Sequence, residues 1–86
     1  MYELILNDET IVNVDTVGVG QQGELWIHAK GISLIDCVNI FSNPDKTAQM
    51  DIDYGSNVTD SFTGFTVLTS VSVCPDFVKV SLARGE

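Results

Sequence analysis

Basic side chains are scarce. Four of them (Lys30, Lys46, Lys79, Arg84) face twelve carboxylates in 86 residues, and the formal net charge is -8. Phosphate backbones and anionic membranes are bound through clustered Lys and Arg that displace counterions, so direct contact with nucleic acid or membrane is not expected. There is one histidine, His28, so any imidazole-based acid/base or metal chemistry would rest on that residue alone. The chain has no G-x-S-x-G nucleophile elbow, and nothing in the spacing assigns a nucleophile to His28. Two cysteines, Cys37 and Cys74, fit neither a C-x-x-C redox pair nor a zinc spacing. Buried free thiols are expected, although a bridge between them would add roughly 3 to 4 kcal/mol on the chain-entropy model. No apolar run is long enough to span a bilayer, and Met1-Tyr2-Glu3 lacks the basic flank of a secretory signal. The cytosol is the expected compartment, unless an export segment has been removed.

These absences exclude much of enzymology, so no catalytic residue, cofactor or metal is assigned. What remains is a single domain, because a chain below roughly 100 residues has surface to bury in only one core. Val, Ile and Thr supply 25 residues and Ala and Leu only nine, which favours pleated, half-buried surface over helix. The excess of acid keeps a small apolar protein soluble and favours basic partners.

Alternation places the elements. Tyr2 to Leu6 and Thr10 to Val19 read as an opening hairpin around Asn7-Asp8-Glu9, with Val12 and Val14 inward. Gly18 to Gly23 is the next turn. Its G-x-G-x-x-G spacing matches a dinucleotide-binding loop, but the segment after it, Glu24 to Ala29, reads as a strand and supplies no helix N-terminus for a pyrophosphate. In that strand Leu25, Ile27 and Ala29 face the core, and Trp26 and His28 share the opposite face. Ser33 with Asp36 resembles a capping box, and Leu34, Cys37, Val38 and Phe41 recur at helical spacing, predicting a helix over 33–42. Its β-branched content keeps a strand as the alternative. Asn43-Pro44-Asp45 ends the segment.

Period-2 alternation resumes with Met50, Ile52 and Tyr54 opposite Asp51 and Asp53, then a polar turn over 55–60. One long strand is expected from Phe62 to Val73, with Phe65, Val67, Thr69, Val71 and Val73 on one face and Gly64 as a bulge. Phe77 to Ala83 closes the domain with Val78, Val80 and Leu82 inward. The fold class expected is α+β, a small antiparallel sheet with one short helix in the order βββ-α-βββ.

Asp51-Ile52-Asp53 invites comparison with a calcium loop, but Gly55, Ser56 and Phe62 stand where such a loop needs an oxygen ligand, a glycine and a bidentate glutamate. Asn57-Val58-Thr59 spells a glycosylation sequon and reads as a turn. Ile5, Trp26 and Phe77 fall on outward faces, and such apolar groups point to a second layer or a partner. Trp26, His28, Asp51 and Asp53 are the candidate partner-binding residues. A stacking wall of Trp26 and His28 for a small ligand is a weaker reading, since the acid excess disfavours nucleotides.

Three stretches carry a resemblance: Leu6-Asn7-Asp8-Glu9-Thr10-Ile11, Ile40-Phe41-Ser42-Asn43-Pro44-Asp45-Lys46-Thr47, and Phe62-Thr63-Gly64-Phe65-Thr66-Val67-Leu68. Together they cover 21 of the 86 residues, and the chain resembles small β-rich proteins encoded among the tail and baseplate genes of phages and prophages of Gram-positive bacteria. Such proteins often carry a D-G-T turn where this one has Asp8-Glu9-Thr10. The resemblance implies a non-enzymatic protein working by protein contact, in the bacterial cytoplasm or on the virion. Its partner would be a phage structural protein, with a homo-oligomer also in view. The acidic surface supports a different expectation, an anti-defence inhibitor such as an anti-CRISPR protein, with carboxylates such as Asp45, Asp51, Asp53 and Asp60 occupying a basic nucleic-acid-binding site on a host protein.

Overall fold

A computed structural model describes residues 2–85. The elements in chain order are β1 (Tyr2–Ile5), β2 (Ile11–Val19), β3 (Leu25–Ala29), α1 (Leu34–Phe41), α2 (Pro44–Thr47), β4 (Gln49–Gly55), β5 (Val58–Thr63), β6 (Val67–Val73) and β7 (Val78–Ala83). All seven strands join one antiparallel sheet in the order β5-β4-β1-β2-β3-β7-β6. Among the described residues no helix is long and apolar enough to cross a membrane.

The sheet cannot be flat. Seven strands spaced about 4.8 Å apart would put β5 and β6 roughly 29 Å from each other. The chain nevertheless passes from Thr63 at the end of β5 to Val67 at the start of β6 in four residue steps, which reach at most about 14 Å. The sheet therefore curls until its two edges meet at that corner, in keeping with near-equal extents of 32 × 30 × 27 Å. Gly64 staples the corner. Its N–H donates to the Ala48 carbonyl at 3.0 Å and its carbonyl accepts from the Gly85 N–H at 2.9 Å. Its φ of 80° is a left-handed value that glycine adopts without steric penalty.

Alternation fills the concave face with Leu4, Val12, Val14, Leu25, Ile27, Ala29, Met50, Ile52, Val78, Val80 and Leu82, all buried. Cys37 and Phe41 from α1, and Phe65 from the corner, complete the core. Each fully buried side chain of this size contributes about 1.5 to 3 kcal/mol. The expected inward sets of β2, β3, β4 and β7 are the observed ones.

The predicted helix over 33–42 is α1 with its two caps. Ser33 Oγ accepts from the Asp36 N–H at 3.1 Å, the first half of a capping box, and Ser42 is the C-cap. Four details depart from the expectation. The polar segment 55–60 is mostly strand, because Ser56 and Asn57, with φ of 53° and 65°, make the whole turn in two residues, and Thr59, Asp60 and Ser61 are polar only because β5 is an exposed edge. The stretch from Phe62 to Val73 is two strands at opposite edges, with Gly64 at the corner rather than in a bulge. A real bulge lies at Thr69, so Leu68, Val71 and Val73 oppose inward-facing Leu82, Val80 and Val78, while Val67 turns outward. Pro44–Thr47 forms a helical turn, α2, and the order becomes three strands, two short helices and four strands. The sheet is antiparallel as expected, and the domain is mostly β.

Candidate contact surfaces

The convex face of the sheet divides into two zones. On one side β4, β1 and β2 line up Asp53, Glu3 and Asn13 as cross-strand partners, and Asp51, Ile5 and Ile11 form the adjoining row. Asp51 accepts from Gln49 Nε2 at 3.0 Å and from Ser61 Oγ at 2.6 Å, and Asp53 accepts from the Gly55 N–H at 2.8 Å. These bonds hold both carboxylates in fixed positions on β4. Glu3 stands directly opposite Asp53, and like charges paired across strands oppose folding.

On the other side β3 carries Trp26 and His28, as alternation requires. The indole and imidazole centroids are 5.2 Å apart, and His28 stacks on Phe77 at 4.1 Å with 16° between the planes. Gly18, the β2 partner of Trp26, lies beneath the indole, and Lys79 stands opposite His28. Trp26 is consequently half-buried rather than displayed. Between β4 and β3 lie β1 and β2, so the pairs Asp51/Asp53 and Trp26/His28 are separated by three strand spacings, about 14 Å. The four sequence candidates share a face without forming one site.

More exposed apolar groups lie elsewhere, among them Ile11 and Val19 of β2 and Val58 of β5, each 56% exposed. Ile5, Trp26 and Phe77 face outward but are each partly covered. Alternation could not have pointed to Leu34, Ile35 and Val38 of α1, which are 40%, 72% and 40% exposed, or to Val67 and Val73 of β6, at 46% and 65%. At about 100° per residue, Leu34, Val38 and Ile35 continue the apolar arc of α1 beyond the strip taken by Cys37 and Phe41. The expected inward stripe is thus wider than the sheet can cover, and its outer part meets water. Leu34 and Val73 line one shallow depression where the first turn of α1 approaches the end of β6.

Charge follows the same division. Residues 1–63 hold ten of the twelve acids, whereas 64–86 hold two, Asp76 and Glu86, matched by two bases, Lys79 and Arg84. β6 contains no charged residue, no proline and no glycine. At the far edge β5 carries Asp60 and pairs with β4, which adds Asp51 and Asp53. Edge strands are commonly protected from unwanted pairing by charge, proline or a bulge, and β6 has only the bulge at Thr69.

No family model, curated protein or solved structure matches the chain. Chemistry at the surface must carry the functional argument. Burial, and then the Asp36 carboxylate, push the Cys37 thiol up, which suits an inert core group. Both cysteines are free, Cys37 buried and Cys74 partly exposed. Burial and the hydrogen bond to Asp60 raise Tyr54, which packs edge-on against Tyr2 at 4.9 Å. The Lys46 ammonium beside Asp8, followed by Thr10, holds the Asp8 carboxyl well below the usual carboxylate range. Asp8 and Lys46 thereby tie the β1–β2 turn to α2, together with Asn7 Nδ2 donating to the Asp45 carbonyl at 3.1 Å. Among the described residues no three His, Cys, Asp or Glu side chains converge as a metal site.

Proposed function

We propose that this chain is a non-enzymatic phage or prophage protein that acts by protein contact, as a structural or assembly component of the tail or baseplate region. The observation that carries the reading is the uncharged β6 edge beside the exposed apolar arc of α1. An open strand offers main-chain hydrogen bonds to a partner, and neighbouring apolar side chains add area that gains from leaving water. Neither requires a reactive group. The three stretches quoted above supply the phage-tail context. Co-expression with the proteins encoded by neighbouring late genes tests it: the native chain should co-purify with one of them, and Ile35→Glu or Val73→Lys should abolish the capture. Capture indifferent to both substitutions, or a gene outside any late operon, would refute the reading.

The acid zone favours a second reading, an anti-defence inhibitor that occupies a basic nucleic-acid-binding site. Its specific support is the Glu3 and Asp53 juxtaposition, a locally unfavourable arrangement that a cationic partner would relieve. Binding to host nucleases at low salt that weakens steeply at moderate salt is the expected signature. No binding at either salt removes this reading.

A further inference from the structure

We propose that β6 is a self-pairing strand, and that two copies of this chain join β6 to β6, antiparallel, across a two-fold axis. The inference rests on the reading of β6 and α1 as a contact surface and names its occupant.

Charge selects a second copy. Two molecules that each carry -8 repel over most of their surfaces, so close approach is favoured only where acids are few and matched by bases. The stretch 64–85 is that place, and β6 is its free margin. A basic partner would instead be drawn to β4 and β1, and would gain nothing electrostatic from Val-Leu-Thr-Ser-Val-Ser-Val.

Among the described residues the two ends of the strand carry opposite charge. Asp76 follows β6 in the turn to β7, while Arg84 lies at the opposite end, next to Ala83, the partner of Val67. Antiparallel pairing brings the Asp76 end of one copy to the Arg84 end of the other, twice by symmetry. Parallel pairing would set Asp76 against Asp76. This is the isologous arrangement a two-fold axis generates from one self-complementary patch.

Side-chain direction narrows the alignment. Val71 and Val73 face inward and Ser70 and Ser72 outward, and residues opposite one another across a ladder must share a face. Alignment about Ser72 sets Val71 against Val73 of the second copy and leaves the Thr69 bulge outside the paired stretch. It also brings each exposed Val73, with Leu34 beside it, to the seam. Apolar groups that the curled sheet leaves uncovered are then shielded by the copy.

Sedimentation equilibrium over a concentration series tests this. The native chain should show twice the 9.3 kDa chain mass. Val73→Lys, at a side chain 65% exposed, should raise the dimer dissociation constant at least about ten-fold while shifting the thermal melt of the monomer little. Thr59→Lys, on the β5 edge, should leave the dimer intact. A native chain that stays monomeric throughout, or a Val73→Lys variant that dimerises as tightly as the native one, overturns the proposal. A monomeric native chain whose capture of a tail-region protein is still lost on Val73→Lys keeps the contact surface and replaces only its occupant. A monomer whose capture ignores Val73→Lys removes both.

Discussion

Gly18→Ala isolates the packing of Trp26. Gly18 has an ordinary φ for a strand, so glycine is required there for room and not for backbone freedom. A Cβ at that position would stand 2.6 Å from Cε2 and 2.9 Å from Cη2 of Trp26, and closer still to Cζ2. Carbon atoms pack best at about 3.5 to 4.0 Å, so the indole would have to move by roughly 1 Å. The indole lies between Gly18 and His28, and His28 is held in turn against Phe77, so the ring has little freedom to yield. Overpacking of this kind costs about 1 to 3 kcal/mol. Elsewhere in a strand interior the same change would gain about 0.5 to 1 kcal/mol by reducing chain entropy. The sign of the effect should therefore reverse in a Trp26→Ala background, and a double-mutant cycle should return a coupling of about 1.5 to 4 kcal/mol. Urea midpoints from far-ultraviolet circular dichroism give the four stabilities, and in the native background the emission of this sole tryptophan should shift as the ring is displaced. Stabilisation by Gly18→Ala in both backgrounds would refute the placement of the indole over Gly18.

Thiol labelling should find Cys74 reactive in the native state, Cys37 protected, and two free thiols under denaturant; fewer than two would establish a bridge. Asp8 contributes stability through a carboxyl whose folded pKa is depressed, so its contribution is present above the unfolded value near 3.9 and is lost as pH falls below it toward the folded value. Asp8→Asn should flatten the decline of the urea midpoint below about pH 5, and an unchanged acid limb would contradict the pairing with Lys46. Glu3→Gln should stabilise the isolated domain by about 0.2 to 1 kcal/mol by removing a like charge opposite Asp53, while weakening any basic partner of the acid zone; loss of stability on this substitution would show that Glu3 has a favourable partner.

Much of this fold was legible in the sequence because period 2 is hard to misread where one face is buried. The inward residues of β2, β3, β4 and β7 and both caps of α1 follow from local pattern and capping chemistry. What escaped notice depended on position in the sheet. Thr59-Asp60-Ser61 looks like loop because polar residues on both faces are tolerated on an outermost strand, and nothing local marks β5 as outermost. The bulge at Thr69 reverses the inward parity of Val67 and leaves no mark in the composition. Glu9 adopts a left-handed φ of 71° where glycine would be unstrained, so the opening turn is set by its surroundings: Leu6 and Thr10 pair across it and Asp8 accepts from Thr10. Of the candidate contact residues, the direction of Trp26, His28, Asp51 and Asp53 was readable. The exposure of Leu34, Ile35 and Val38 was not, since it depends on how much of α1 the curled sheet can reach.

The corner at Gly64 links these observations. Consecutive strands β5 and β6 occupy opposite ends of the sheet order, so the short connection between them is what bends the sheet around its core. No ladder joins β5 to β6, and α1 packs against β6 and β7 while α2 packs against β4. Bending without closure leaves two free edges, and the sequence treats them differently. β5 displays Asp60 and borders Asp51 and Asp53, so close pairing there would bury carboxylates without partners and is disfavoured. β6 has no such protection, and the apolar arc of α1 lies near it. If both edges served only to keep the monomer soluble, charge on β6 would be the simpler solution. Its absence along seven residues of a chain that carries twelve acids is the asymmetry that a contact surface on β6 explains.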